Sequence, residues 1–296
     1  MLKSKMTKGI SLCLAVMMLL LGVPLNGFAA VTDEISGQQE GSIPVEVFTQ
    51  SNDMEPEKKS EGLDDSSAYS SDSAPSGYVG DNTFLDVPQR RMMGMAKANA
   101  IDTQKKVLLI EDKNPWDSTA NQIVLSGLTE YKKVTTAGFL NEDLSQYGVI
   151  VFANDQPFAT YENYAEFKEY LEIFASIGGV IVFGACDAGW ANGQLNEAIP
   201  GDVTKSNHYE CYNYIANPTH PIVTGALTNN DSLTDSDLAS YYCSHISFNE
   251  ESLPPGTTVI LRETRTNKPT LIEYPLGKGR VIASGLTWEH NYNHWG

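Results

Sequence analysis

An α/β domain with a mainly parallel sheet and helices on both faces is predicted for residues 105–296, on three observations. Residues 107–110 (VLLI), 148–153 (GVIVFA) and 180–183 (VIVF) are short continuous apolar runs, the pattern of parallel strands covered on both faces. Between the last two, residues 161–177 place Tyr164, Phe167, Leu171, Phe174 and Ile177 on one face at three- and four-residue steps, and Gly178 and Gly179 close that helix. A strand, helix and strand in this order are joined by a right-handed crossover, which makes the two strands parallel.

The elements follow in order. After the strand at 107–110 comes a polar loop holding Asp112, Lys113, Asn114 and Pro115, then a helix over 119–128 and a short strand over 133–135. The strand at 148–153 leads to a loop with Asp155 and Pro157, and the aromatic face of the next helix is assigned to packing on the sheet. Past residue 193 the pattern loosens, with residues 207–214 polar and aromatic and no element assigned to them. Residues 217–221 (NPTHP) read as a fixed turn braced by His220. Strands are expected at 258–262, 270–274 and 280–284, with a hairpin turn at 276–279 (LGKG). No covering helix is expected after the last strand, so the domain is expected to be cut short, as a fragment of a longer exported protein.

The preceding residues are of another kind. Residues 1–29 carry Lys3, Lys5 and Lys8, an apolar core over 10–23 that ends at Pro24, and Gly27 and Ala29 at a cleavage-site spacing, the pattern of a secretory signal peptide. A permanent span needs about 20 consecutive apolar residues, so no stable membrane insertion is expected after cleavage. Residues 30–104 are rich in Ser, Gly, Asp and Glu and poor in large apolar groups. Burial there cannot offset the entropy of ordering, and a disordered acidic linker is expected.

Charge narrows the partners. The chain carries a formal −17, and removing the signal, with three lysines and no acid, takes it to −20. Nucleic acid and anionic lipid both depend on Lys and Arg neutralising phosphate, so neither is expected as a partner. A secreted or cell-surface location follows from the signal. Once Cys13 is removed, Cys186, Cys211 and Cys243 remain, and the simplest arrangement in an oxidising compartment is a Cys211–Cys243 bridge. His290 and His294 stand four apart, with His208, His220 and His245 as further candidates, but no tight metal-binding signature occurs. Neither a metal nor a cofactor is expected.

In open α/β sheets functional groups collect outside the carboxyl ends of the strands. The loops over 112–118, 154–160 and 184–192 have that address. Cys186 lies in residues 184–189 (GACDAG), whose small side chains would permit the strained strand-to-helix turn that exposes a nucleophile. The end of the final strand supplies Trp288, Glu289 and His290, and thus an imidazole base with a carboxylate to orient it. The competing reading is that Cys186 is a small buried residue filling a crowded turn. Asp155, Asp187, Trp190 and Trp288 are the candidate ligand-binding residues, since aromatic platforms with polar rims suit carbohydrate rings. Trp116 shares that loop region.

The cysteine turn, residues 217–227 (NPTHPIVTGAL) and residues 277–290 (GKGRVIASGLTWEH) resemble the class I glutamine amidotransferase-like superfamily, closest to its exported and trehalose-utilisation-type branches. The resemblance implies a flavodoxin-like fold, Cys186 at the nucleophile position and His290 at the triad histidine. The sequence departs from the family in having Glu289 before His290 and Asp187 directly after Cys186. Amidotransferase activity is therefore not expected. Two functions are weighed: a binding or accessory module for a small molecule, glycan or peptide, attached to further domains of a longer chain, and a cysteine-dependent hydrolase of an amide or ester using Cys186, His290 and Glu289.

Overall fold

A computed structural model describes residues 106–186, 198–226 and 232–295, all within one compact unit. The expected signal peptide and acidic linker lie outside the described residues. The elements are β1 (Lys106–Ile110), α1 (Ala120–Leu128), β2 (Tyr131–Val134), α2 (Thr136–Phe139), β3 (Tyr147–Phe152), α3 (Phe158–Ser176), β4 (Val180–Gly184), β5 (Lys205–Ile215), α4 (Pro221–Thr224), β6 (Ala239–Phe248), β7 (Thr258–Glu263), β8 (Pro269–Leu276), β9 (Gly279–Ser284) and α5 (Trp288–Trp295).

The described strands form one sheet in the order β2-β1-β3-β4-β9-β8-β7-β5-β6. From β2 through β9 every pairing is parallel. From β9 through β6 every pairing is antiparallel. The class is thus α/β, but the sheet is mixed, which corrects the expectation of a mainly parallel one. The hairpin at Gly277 and Lys278 turns β8 back on β9, and each later pairing keeps that antiparallel sense.

Alternation along the parallel strands explains why both faces are covered. Leu108, Ile110, Ile150, Phe152, Ile181 and Phe183 pack on one side with Tyr161, Tyr164, Phe167, Leu171 and Phe174 of α3. Val107, Leu109, Val149, Val151, Val180 and Val182 pack on the other with Val124 and Leu125 of α1 and Trp288 of α5. Burying each such side chain contributes about 1.5–3 kcal/mol, so the aromatic stripe of α3 fixes which way that helix lies.

Three further expectations need correction. Residues 207–214, left without an element, belong to β5, a strand whose side chains are mostly partly buried or exposed, with Lys205 and Asn213 buried. With few large apolar residues, its period is carried by His, Glu, Asn and Tyr. A helix, α5, does follow the last strand. Finally, Cys186, Cys211 and Cys243 carry thiols and no disulfide. The β5–β6 register slips between Glu210↔Ser244 and Tyr212↔Ala239, and Cys243 falls in that bulged stretch and packs into the core.

The antiparallel half curls back on itself. The His245 N–H donates to the Gly285 carbonyl at 2.9 Å, the Thr287 N–H donates to the Cys243 carbonyl at 3.1 Å, and Ser244 bridges Leu286. Residues 285–287 directly follow β9, so β6 is anchored beside the carboxyl ends of the parallel strands. There is room because residue 285 is glycine: a Cβ at that position would meet the Ile246 carbonyl oxygen at 2.0 Å. No helix among the described residues is long and apolar enough to cross a membrane.

Candidate functional site

The loops after β1 and β3 are stitched together by Gln156, which is fully buried. Its Oε1 accepts from the Asp112 N–H at 2.7 Å and the Lys113 N–H at 3.1 Å, and its Nε2 donates to the Lys113 and Asn154 carbonyls at 3.0 and 2.7 Å. Asp112 accepts in turn from the Thr136 N–H and hydroxyl, each at 2.7 Å, and from the Thr160 hydroxyl. Three loops at the carboxyl edge are thereby fixed against one another.

Cys186 follows β4 and sits in this lattice with no exposed surface. Its N–H donates to Asn154 Oδ1 at 2.9 Å, and its carbonyl accepts from the Asp155 N–H at 2.7 Å and the Tyr161 hydroxyl at 3.1 Å. Its Sγ donates to the Gly285 carbonyl at 2.8 Å, a contact that needs the protonated thiol. Gly184 precedes it because a side chain there would meet Asn154 Oδ1 and the Phe152 carbonyl oxygen, both at 2.8 Å.

Asn154 connects this turn to Glu289. Its Nδ2 donates to Glu289 Oε2 at 2.8 Å and to the Leu286 carbonyl at 3.2 Å, while its N–H reaches Glu289 Oε1 at 3.3 Å. Asn121 Nδ2 donates to Glu289 Oε1 at 3.0 Å and to Glu111 Oε2 at 3.3 Å. Glu111 is completed by Gln122 at 2.8 Å and by the Lys133 ammonium at 2.5 Å. Glu289 is fully buried, and desolvation pushes its pKa up to about 7 although the Asn154 and Asn121 amides favour the charged form.

Above this network lies an aromatic cluster. Trp116 meets His290 edge to face, with ring centroids 5.9 Å apart, and His245 in the same manner at 6.2 Å. Tyr209 of β5 packs on His245 at 4.9 Å and is itself 47% exposed, so the cluster reaches solvent. Burial first, then the charges on His290 and His208, lower the His245 pKa to about 4. At neutral pH His245 is a neutral ring with one donor and one acceptor nitrogen.

Trp116 has a left-handed backbone, φ 45 and ψ 40, and Asp117 and Asp155 share positive φ at 59 and 52. Such conformations cost roughly 1–2 kcal/mol for residues with a Cβ. Here they are held by Asp155, whose Oδ2 accepts from the Trp116 N–H at 2.7 Å and pairs with Lys113 at 3.0 Å. Strain of this kind concentrates where a side chain must be presented.

The structure therefore joins Cys186 and Glu289 through Asn154 and sets His290 against Trp116. Asp155 is 5% exposed and acts on Trp116. Trp288 is 5% exposed and packs in the aliphatic cluster beneath the sheet. Asp187 and Trp190 lie outside the described residues. Sequence reasoning missed Asn154, Asn121 and Tyr209, which became visible only once β6 and α5 were placed. Among the described residues no group of three or more His, Cys, Asp or Glu could hold a metal ion.

No protein-family model matches the sequence. Over 221 residues the chain is 27% identical to an uncharacterised protein of Clostridium acetobutylicum, covering 70% of this chain and 21% of that protein. The chain thus spans about a fifth of the length of the curated relative it matches. Among solved structures, an exo-β-1,4-mannosidase from Opitutaceae bacterium strain TAV5 gives a TM-score of 0.34 at 12% identity, over 65% of this chain and 35% of that one. A cytoplasmic protein of Salmonella typhimurium LT2 gives 0.40 at 14% identity, over 64% and 96% of the two chains. A ThuA-like protein from Parabacteroides merdae ATCC 43184 gives 0.29 at 16% identity, over 61% and 78%. At these TM-scores the likenesses assign no family and no activity.

Proposed function

We propose that this chain is an exported or cell-surface protein whose α/β domain is of the class I glutamine amidotransferase-like, flavodoxin-like type and serves as a binding module for a glycan or peptide. The observation that carries the binding reading is Trp116, held in a strained backbone by Asp155 and set against two imidazoles beside the exposed ring of Tyr209. Flat aromatic faces with polar edges match a sugar ring or a peptide side chain.

The fold assignment is supported by the order of the five parallel strands, β2-β1-β3-β4-β9, which corresponds to the 2-1-3-4-5 order of doubly wound sheets. The cysteine directly after β4 and the glutamate and histidine after β9 agree with it. Binding is favoured over hydrolysis because the Cys186 thiol is buried and spent on the Gly285 carbonyl.

A panel of immobilised oligosaccharides and peptides tests the reading with the unmodified full chain, Trp116→Ala and Cys186→Ala. Trp116→Ala is expected to weaken the best ligand about tenfold or more, and Cys186→Ala to leave its affinity unchanged. Turnover of model esters or amides that disappears with Cys186→Ala would instead establish the hydrolase.

A further inference from the structure

The Glu289 carboxyl sits where the cysteine turn, the β6 anchor and the helix carrying His290 meet, and its hydrogen bonds run one way. Three N–H groups, from Asn121 Nδ2, the Asn154 backbone and Asn154 Nδ2, point at its two oxygens, and its own backbone N–H adds a fourth donor. That set is complete for a carboxylate, which only accepts. A carboxylic acid must place a hydrogen on one oxygen, and a proton on Oε2 would face the Asn154 Nδ2 donor.

Asn154 cannot turn its amide over at no cost. Its Oδ1 accepts from the Cys186 N–H at 2.9 Å and its Nδ2 also donates to the Leu286 carbonyl at 3.2 Å. Leu286 in turn bridges Ser244 of β6, the strand that carries His245. A change at Glu289 is thus passed to both the Cys186 turn and the strand that forms one wall of the aromatic cluster.

We propose that Glu289 is a proton-operated latch: protonating it displaces Asn154, releases the Cys186 N–H and the Leu286 carbonyl, and shifts the β6 wall of the Trp116–His245–His290 cluster while His245 stays buried. Regulation of ligand binding by this latch rests on the binding reading given above; the latch itself does not. Among the described residues, the ionisable side chains on the elements packed here are Asp117 in the turn against α5, His245 and Cys243 on β6, His290 and Tyr292 on α5, and Cys186 in the turn bonded to Asn154. Glu111, with Lys133 as its cation, is reached through Asn121, and Asp155 is paired with Lys113. The partners of Glu289 among the described residues are therefore neutral amides, and burial favours its uncharged form near neutral pH.

The test needs no ligand, so its failure is separate from that of the binding reading. In the full chain, the Asn154 side-chain amide and Cys186 backbone amide resonances are followed by NMR between about pH 8 and about pH 5.5. Both are expected to shift together with the Glu289 side-chain carboxyl carbon. In Glu289→Gln they should stay near their low-pH positions throughout, and in His290→Gln the transition should persist. Amide positions that do not change over this range overturn the proposal, as does a transition kept in Glu289→Gln and lost in His290→Gln. If Glu289→Gln does not fold, the carboxyl carbon of the unmodified protein decides. A carbon that titrates in step with both amides supports the latch, and one that stays ionised throughout overturns it.

Discussion

Gly285→Ala probes the contact on which the site depends. A Cβ at residue 285 would lie 2.0 Å from the Ile246 carbonyl oxygen, 2.7 Å from its carbonyl carbon and 3.0 Å from its Cβ, where ordinary contact begins at 3.4 Å. Two backbones would have to part by more than about 1 Å, and neither offers a flexible side chain to absorb it. The same residue donates its N–H to the Thr270 carbonyl at 2.7 Å and accepts from the His245 N–H at 2.9 Å and from the Cys186 thiol at 2.8 Å. Losing two of these bonds costs about 1 kcal/mol each, and overpacking adds roughly 1–3, so a total of about 3–5 kcal/mol is expected. That is a large share of the about 5–15 kcal/mol that holds a typical domain. Urea unfolding followed by circular dichroism measures it, with hydrogen exchange at His245 as a local check. An alanine variant within about 0.5 kcal/mol of the unmodified protein, with His245 equally protected, would show that β6 is not seated on residues 285–287.

Two other substitutions separate presentation from packing. Asp155→Ala removes the acceptor of the Trp116 N–H and the partner of Lys113. It should cost about 1–3 kcal/mol and change the near-ultraviolet tryptophan dichroism as Trp116 leaves its left-handed conformation. Cys186→Ala removes one weak donor from a filled site and should cost about 1 kcal/mol, whereas Cys186→Leu should cost several times more in a urea titration, because the residue has no exposed surface to expand into.

The parallel half of the sheet was legible because its strands are covered on both faces, so that 107–110, 148–153 and 180–183 stand out as uninterrupted apolar runs. The stripe of α3 was legible for a related reason, since one side of that helix is buried along its whole length. β5 and β6 carry no such signal. β5 carries few large apolar residues, and although β6 buries Ile246 and Phe248, the two strands also meet through polar side chains, with His208 and Asn213 both bonded to Ser244. Local periodicity reports burial in an apolar layer and is silent about a strand such as β5, whose buried Asn213 sits among polar partners. Placing Cys186 at the end of β4 required only strand order. Whether its sulfur faces solvent depended on the Gly285 carbonyl, 99 residues away in sequence. The role of Asn154 was equally hidden, because an asparagine in a loop after a strand usually signals a turn and here reaches Glu289 on the last helix.

Burial shifts the pKa values of two groups in the site in opposite directions, and this gives a test of the electrostatics as a whole. Burial raises the pKa of Glu289 from 4.5 to about 7 and lowers that of His245 from 6.5 to about 4. Between pH 4.5 and 6.5 the unfolded chain ionises both groups while the native state keeps both neutral. Through Glu289 alone the native state binds one more proton than the unfolded state, so stability falls with rising pH by roughly 1.4 kcal/mol per unit. Through His245 alone the unfolded state binds one more, so stability rises by a similar amount. The two contributions nearly cancel in the unmodified protein. Glu289→Gln should therefore expose a stability that climbs with pH over this window relative to the unmodified protein, and His245→Gln one that falls. Each difference should reach about 3 kcal/mol across the window, and all other carboxylates drop out of the comparison. Urea titrations of the three proteins at both ends of the window read these slopes directly. Variant slopes of the same sign, or variants that run parallel to the unmodified protein, would mean that one of these side chains is charged in the native state and that water reaches it.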